Sequence, residues 1–104
     1  MHFSKLYKIK EGKISTLKKW FSVLENQRVD EAIATFASEN ITRETFVLFS
    51  LGKNKYFLLG LNEANGNPKK SDPELVINKE HQKILSECLE PVSEKGEIIL
   101  DIRL

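Results

Sequence analysis

The order of apolar patterns along the chain predicts an α+β domain, β-α-β-β-α-β, with a four-stranded antiparallel sheet and two helices on one of its faces. Three observations predict it. Ile41–Glu63 holds two apolar runs joined by Gly52-Lys53-Asn54-Lys55, which is a hairpin signal. Leu17, Trp20, Phe21 and Leu24 recur at helical spacing before that hairpin, and Ile84, Leu85, Cys88 and Leu89 do so after it. Apolar residues on one strand face mark both ends of the chain, Phe3, Tyr7 and Ile9 at the start and Ile98, Leu100 and Ile102 at the close.

Phe3–Lys10 reads as the first strand, with Phe3, Tyr7 and Ile9 on one face and Leu6 on the other, and Lys10-Glu11-Gly12-Lys13 as a short turn. The helical stripe then continues through Val29, Ala32, Ile33 and Phe36 with a slight rotation. A single helix over 14–38 would run roughly 37 Å, against about 25 Å for a strand of seven or eight residues. It therefore overhangs the sheet or breaks near Asn26-Gln27. Asn40 ends it, because Asn tolerates the left-handed conformation. In the hairpin, Val47, Phe49 and Leu51 face one way and Phe46 and Leu48 the other, while Phe57, Leu59 and Leu61 oppose Tyr56 and Leu58. The polar stretch with Asn65-Gly66, Pro68 and Asp72-Pro73 is a surface connection or a lid. Asn78 is placed as the N-cap of a second helix that stops at Pro91. Glu97–Arg103 is the last strand, with Ile98, Leu100 and Ile102 inward. This order is the ferredoxin-like one, in a single domain over residues 1–104. Both faces of the hairpin are apolar, and helices cover only one. The other face predicts a homodimer through the sheet.

The composition is that of a soluble globular domain, 40% hydrophobic and 30% charged. A net charge of +1 gives no global field for nucleic acid or an anionic membrane. The third strand, Lys55-Tyr56-Phe57-Leu58-Leu59-Gly60-Leu61, puts its aromatics on opposite faces and fails the RNA-recognition pattern. No nucleic acid, membrane or cofactor is expected as a partner. Cys88 is the only cysteine, and neither an apolar leader nor a membrane-length run is seen, so a cytoplasmic protein is expected. Metal is not expected either. His81 and Cys88 lie seven apart on one helix, roughly 10 Å along its axis, too far to share an ion.

What remains is a polar set aimed at the layer between helices and sheet. His81 lies on the stripe of Ile84, Leu85 and Cys88. Arg28 extends that of Leu17, Phe21 and Leu24, with Glu31 one turn beyond, and Glu44 shares a strand face with Phe46 and Leu48. Such groups in an apolar layer must pair or bind something. One reading is a satisfied salt-bridge and hydrogen-bond cluster. The other is a small-molecule pocket with His81, Glu44, Arg28, Glu31, Tyr56 and Trp20 as candidate ligand-binding residues. Any catalysis would fall to His81 with Glu44 or Arg28.

Four segments carry a family resemblance: Leu6–Lys13, Arg28 to Glu31, Thr42-Arg43-Glu44, and Ile77-Asn78-Lys79-Glu80-His81. On these the chain resembles a family of small bacterial proteins of unassigned activity, with a ferredoxin-like fold of the dimeric α/β-barrel type. Members often carry Asp at the position of Asn78. The resemblance implies a homodimer and transfers no activity. By architecture it extends to cofactor-independent monooxygenases, haem-degrading enzymes, small isomerases and ligand-sensing domains. Two functions are therefore carried forward, a dimeric module that binds a small ligand or a protein, and a cofactor-independent monooxygenase or isomerase.

Overall fold

The computed structural model describes residues 2–93 and 96–104. Its elements run β1 (His2–Ile9), α1 (Ile14–Asn26), α2 (Val29–Glu39), β2 (Ile41–Ser50), β3 (Tyr56–Ala64), α3 (Val76–Cys88) and β4 (Leu89–Ser93). Three helices stand where two were expected, because the first helical stretch breaks. The amides of Gln27 and Arg28 both reach the carbonyl of Val23, at 2.9 Å each, so the winding loosens there. The Asn26 side chain donates to the Ser22 carbonyl at 3.1 Å and competes for a backbone acceptor. Arg28 then starts α2, whose first turn carries Asp30 and Glu31, the charge that a helix N-terminus favours. Asn40 closes α2 in the left-handed conformation, φ 60°.

The sheet is antiparallel throughout, in the order β2-β3-β1-β4. Leu51 donates to the carbonyl of Lys55 across the hairpin turn, where Gly52 and Asn54 take positive φ, 84° and 58°. Register assigns the faces. Tyr7, Leu58 and Leu48 are aligned on one side, and Leu6, Leu59 and Val47 on the other. The first side meets the helices. Ile9, Leu17, Leu58, Cys88 and Leu89 form the buried core, with Tyr7, Phe21, Phe46, Tyr56 and Ile84 packed around it. Gly60 lies beneath the Phe46 ring, and that ring stacks on Phe21 with centroids 4.7 Å apart. The second side carries Leu6, Val47, Phe49, Phe57, Leu59 and Leu61 with no helix over it. None of the helices among the described residues is long and apolar enough to cross a membrane.

The C-terminal third departs from expectation. Leu75, not Asn78, is the N-cap residue of α3, and Asn78 instead donates its side-chain amide to the Asp72 carbonyl at 2.9 Å. The helix ends at Cys88, before Pro91. Proline disfavours helical geometry in the residue ahead of it, so the chain is extended from Leu89 and pairs with β1, Leu89 beside Ile9 and Pro91 beside Tyr7. Proline removes an amide donor, which an edge strand tolerates, and β4 is an edge. The strand slot beside β1 is thus filled by Leu89–Ser93. Glu97–Arg103 is not a strand, and Ile98, Leu100 and Ile102 are exposed rather than inward, at 52%, 75% and 82%.

Candidate functional site

Ile77, His81, Ile84 and Cys88 form one row along α3, at i, i+4, i+7 and i+11, and its two ends, Ile77 and Cys88, are buried. This row carries the His81 ring towards α1. There Trp20, itself buried, donates its indole N–H to His81 Nδ1 at 2.9 Å. An indole nitrogen is only a donor, so Nδ1 is the bare nitrogen and the proton of the neutral ring sits on Nε2. Burial lowers the His81 pKa from its ordinary 6.5, which keeps the ring neutral. With Leu75 as the cap, His81 stands beyond the first turn of α3 rather than at its third position, and the helix dipole acts on it weakly.

Arg28 sits at the break between α1 and α2. Its Nε and Nη2 hold the two oxygens of Glu31, at 3.1 and 2.8 Å, and its Nη1 holds Glu80. These two carboxylates raise its pKa, and Arg28 in return lowers that of Glu31. The guanidinium carbon is 5.8 Å from the centre of the Trp20 ring, within cation–π range. Arg28 and His81 therefore flank the same indole without touching Glu44.

Glu44 instead meets His81 across a cavity of about 100 Å³ between α1, α2, α3 and β2. Leu24, Ala32, Phe36 and Ile77 give it apolar walls, and Glu39, Glu44, Asn78 and His81 supply the polar groups. Burial raises the Glu44 pKa first, and the charge of Glu39 raises it further. Glu39 is raised by burial as well, offset by a hydrogen bond with Thr35. The cavity thus pairs two carboxyl groups that resist ionisation with a neutral imidazole. Among the described residues, no three of His, Cys, Asp and Glu are placed to hold one metal ion.

Of the six candidates, His81 and Glu44 line this cavity. Trp20 and Arg28, with Glu31, form the network that orients His81. Tyr56 lines a different cleft, with Ile9, Lys10 and Asn54. Sequence reasoning passed over Glu39. The signal was available: Glu39 is the last residue of α2, where the dipole repels an anion. Comparison with curated proteins and with solved structures finds no match. Residues 3–103, nearly the whole chain and every group of this site, match the model of a family of unknown function, DUF6176, and the chain belongs to that family.

Proposed function

We propose that the protein is a dimeric small-ligand-binding module of the ferredoxin-like, dimeric α/β-barrel type, with its ligand site at the His81–Glu44–Glu39 cavity. One observation carries the reading. The Trp20 indole occupies the lone pair of His81 Nδ1. A general base needs a free lone pair within reach of the proton it takes. The neutral ring offers the cavity an N–H donor in its place. A hydrogen-bond donor, two carboxyl groups and apolar walls make a binding surface for a small polar molecule. The volume, about 100 Å³, is the share of roughly three waters in the liquid.

The test uses protein labelled with ¹⁵N-histidine and titrated with millimolar urea, acetamide, acetate and methylammonium. At least one probe should move the His81 Nε2 resonance in the wild type and not the backbone of His81→Phe. Absence of any shift at His81 with all four probes would remove the ligand reading. A second reading, a cofactor-independent monooxygenase or isomerase, is favoured by the raised pKa values of Glu44 and Glu39, since a carboxyl tuned upward suits proton transfer near neutral pH. It assigns the acid–base role to Glu44, with His81 as a donor and Arg28 as a distant support. Turnover that survives Glu44→Gln would exclude that assignment.

A further inference from the structure

Two apolar features of the chain have no helix over them, the first with Phe49 exposed and its neighbours half-buried. One is the sheet face of Leu6, Val47, Phe49, Phe57 and Leu59. The other is the C-terminal segment 97–104, where Ile99, Leu100 and Ile102 are 75 to 89% exposed. The segment alternates as a strand would. Ile98, Leu100, Ile102 and Leu104 fall on one side, and Glu97, Ile99, Asp101 and Arg103 fall on the other.

Within its own chain the segment is held at its two ends. The Gly96 amide reaches the Ser4 carbonyl at 3.1 Å, and Arg103 reaches His2 at 2.6 Å. Between them Ile98 and Leu100 border a cleft of about 360 Å³ whose other wall includes Thr45 and Leu61 of the sheet. Val47, Phe49 and Leu59 do not line this cleft.

Area points to what covers both. β3 is nine residues long and the sheet four strands wide. At ~3.4 Å per residue and ~4.8 Å between strands, the face has a footprint of about 590 Å². A standard interface takes about 800 Å² from each partner. The face alone falls short. An extended eight-residue segment, about 27 Å long, brings the total to that order.

We propose that residues 97–104 are an exchanged arm: in the homodimer, each copy lays Ile98, Leu100 and Ile102 across the bare sheet face of the other. The inference rests on the dimer reading above. A two-fold interface is self-complementary, and this chain carries both halves of such a contact, an uncovered apolar row and an uncovered apolar surface. The opposite side of the arm, with Glu97, Asp101 and Arg103 around Ile99, is predominantly polar and faces water.

The test mixes full-length chains carrying two different isotope labels and records isotope-filtered NOEs. Methyls of Ile98, Leu100 and Ile102 on one copy should contact Val47, Phe49 and Leu59 of the other. A dimer whose tail contacts are all within one chain would overturn the arm and leave the dimer standing. A monomer at the concentrations used would overturn both. Deletion of Glu97–Leu104 gives the second measurement, with Leu100→Asp/Ile102→Asp as the length-preserving control. Each should weaken dimerisation at least 100-fold by sedimentation while the circular dichroism spectrum stays unchanged. An unchanged dimer constant would overturn the arm.

Discussion

At His81 one hydrogen bond decides the chemistry of the ring. Trp20→Phe keeps the aromatic packing and removes the donor to Nδ1. A buried nitrogen left without a partner costs about 1–3 kcal/mol. The variant should lose stability of that order, and its His81 pKa should rise towards 6.5, both readable by denaturation and by NMR titration. The sign of the pH dependence follows from the direction of the shift. His81 is depressed below its ordinary 6.5, so the unfolded chain binds the extra proton first. Its contribution to stability is complete above pH 6.5 and is lost as pH falls through the lower, folded value. Glu44 runs the other way. Its folded pKa lies above 4.5, so the folded form holds the proton more tightly and stability declines as pH rises from 4.5 through the raised value. Glu44→Gln should therefore be more stable than wild type at pH 7, with a flatter profile on the acid side. Equal stability of the two proteins across pH 4–8 would show that burial does not strain this carboxyl.

Among the elements, α2 and the hairpin supply the sharpest tests. Asn40 holds φ 60° and also donates to the Asn67 carbonyl at 3.1 Å. Left-handed geometry costs an ordinary L residue roughly 1–2 kcal/mol. Asn40→Ala should destabilise by about that amount or slightly more, and Asn40→Gly by less, as chemical denaturation would measure. Gly60→Ala tests the sheet-to-helix contact. A methyl there would stand 3.1 Å from the Phe46 ring, which Phe21 backs from the other side. Moving the ring would disturb its stack on Phe21, so a loss of about 1–3 kcal/mol is expected.

These elements also show how far a single chain can be read. The hairpin faces were legible because alternation in 46–49 and 56–59 is a local property. The break near Asn26 was legible as a conflict between helix length and sheet size, although only the paired amides of Gln27 and Arg28 show where it falls. The last strand was not legible. Two segments, 89–93 and 97–103, both carry strand-like residues, and only the slot beside β1 chooses between them. The helix stripe led to His81 and the strand alternation to Glu44. Arg28 was drawn to Glu31 and Glu80 instead, since Glu80 is brought near by the packing of α3 and no sequence spacing announces it.

For the molecule as a whole, the exposed sheet face sets the expectation. Phe49 and Leu61 are exposed, and Val47, Phe57 and Leu59 are only half-buried. Phe49→Asp with Leu59→Asp puts two charges on that face. If the proposed dimer forms through this face, such a variant should be monomeric by light scattering at concentrations where the wild type has the mass of two chains, and should keep its helical and strand content. An identical mass for both proteins would place the dimer contact elsewhere or remove it.

Pro91 has a consequence for how copies of this sheet can add to one another. An open antiparallel sheet has two borders, and a chain that exposes both can be extended without limit, one copy after another. Here one border is β4, where a proline stands in the middle of five residues and withholds an amide that a newcomer would need. Among the described residues, only β2 offers a full-length border of ten residues. A molecule with one usable border can join one neighbour and then has nothing left to offer, so any strand addition would stop at a pair instead of running on into a fibre.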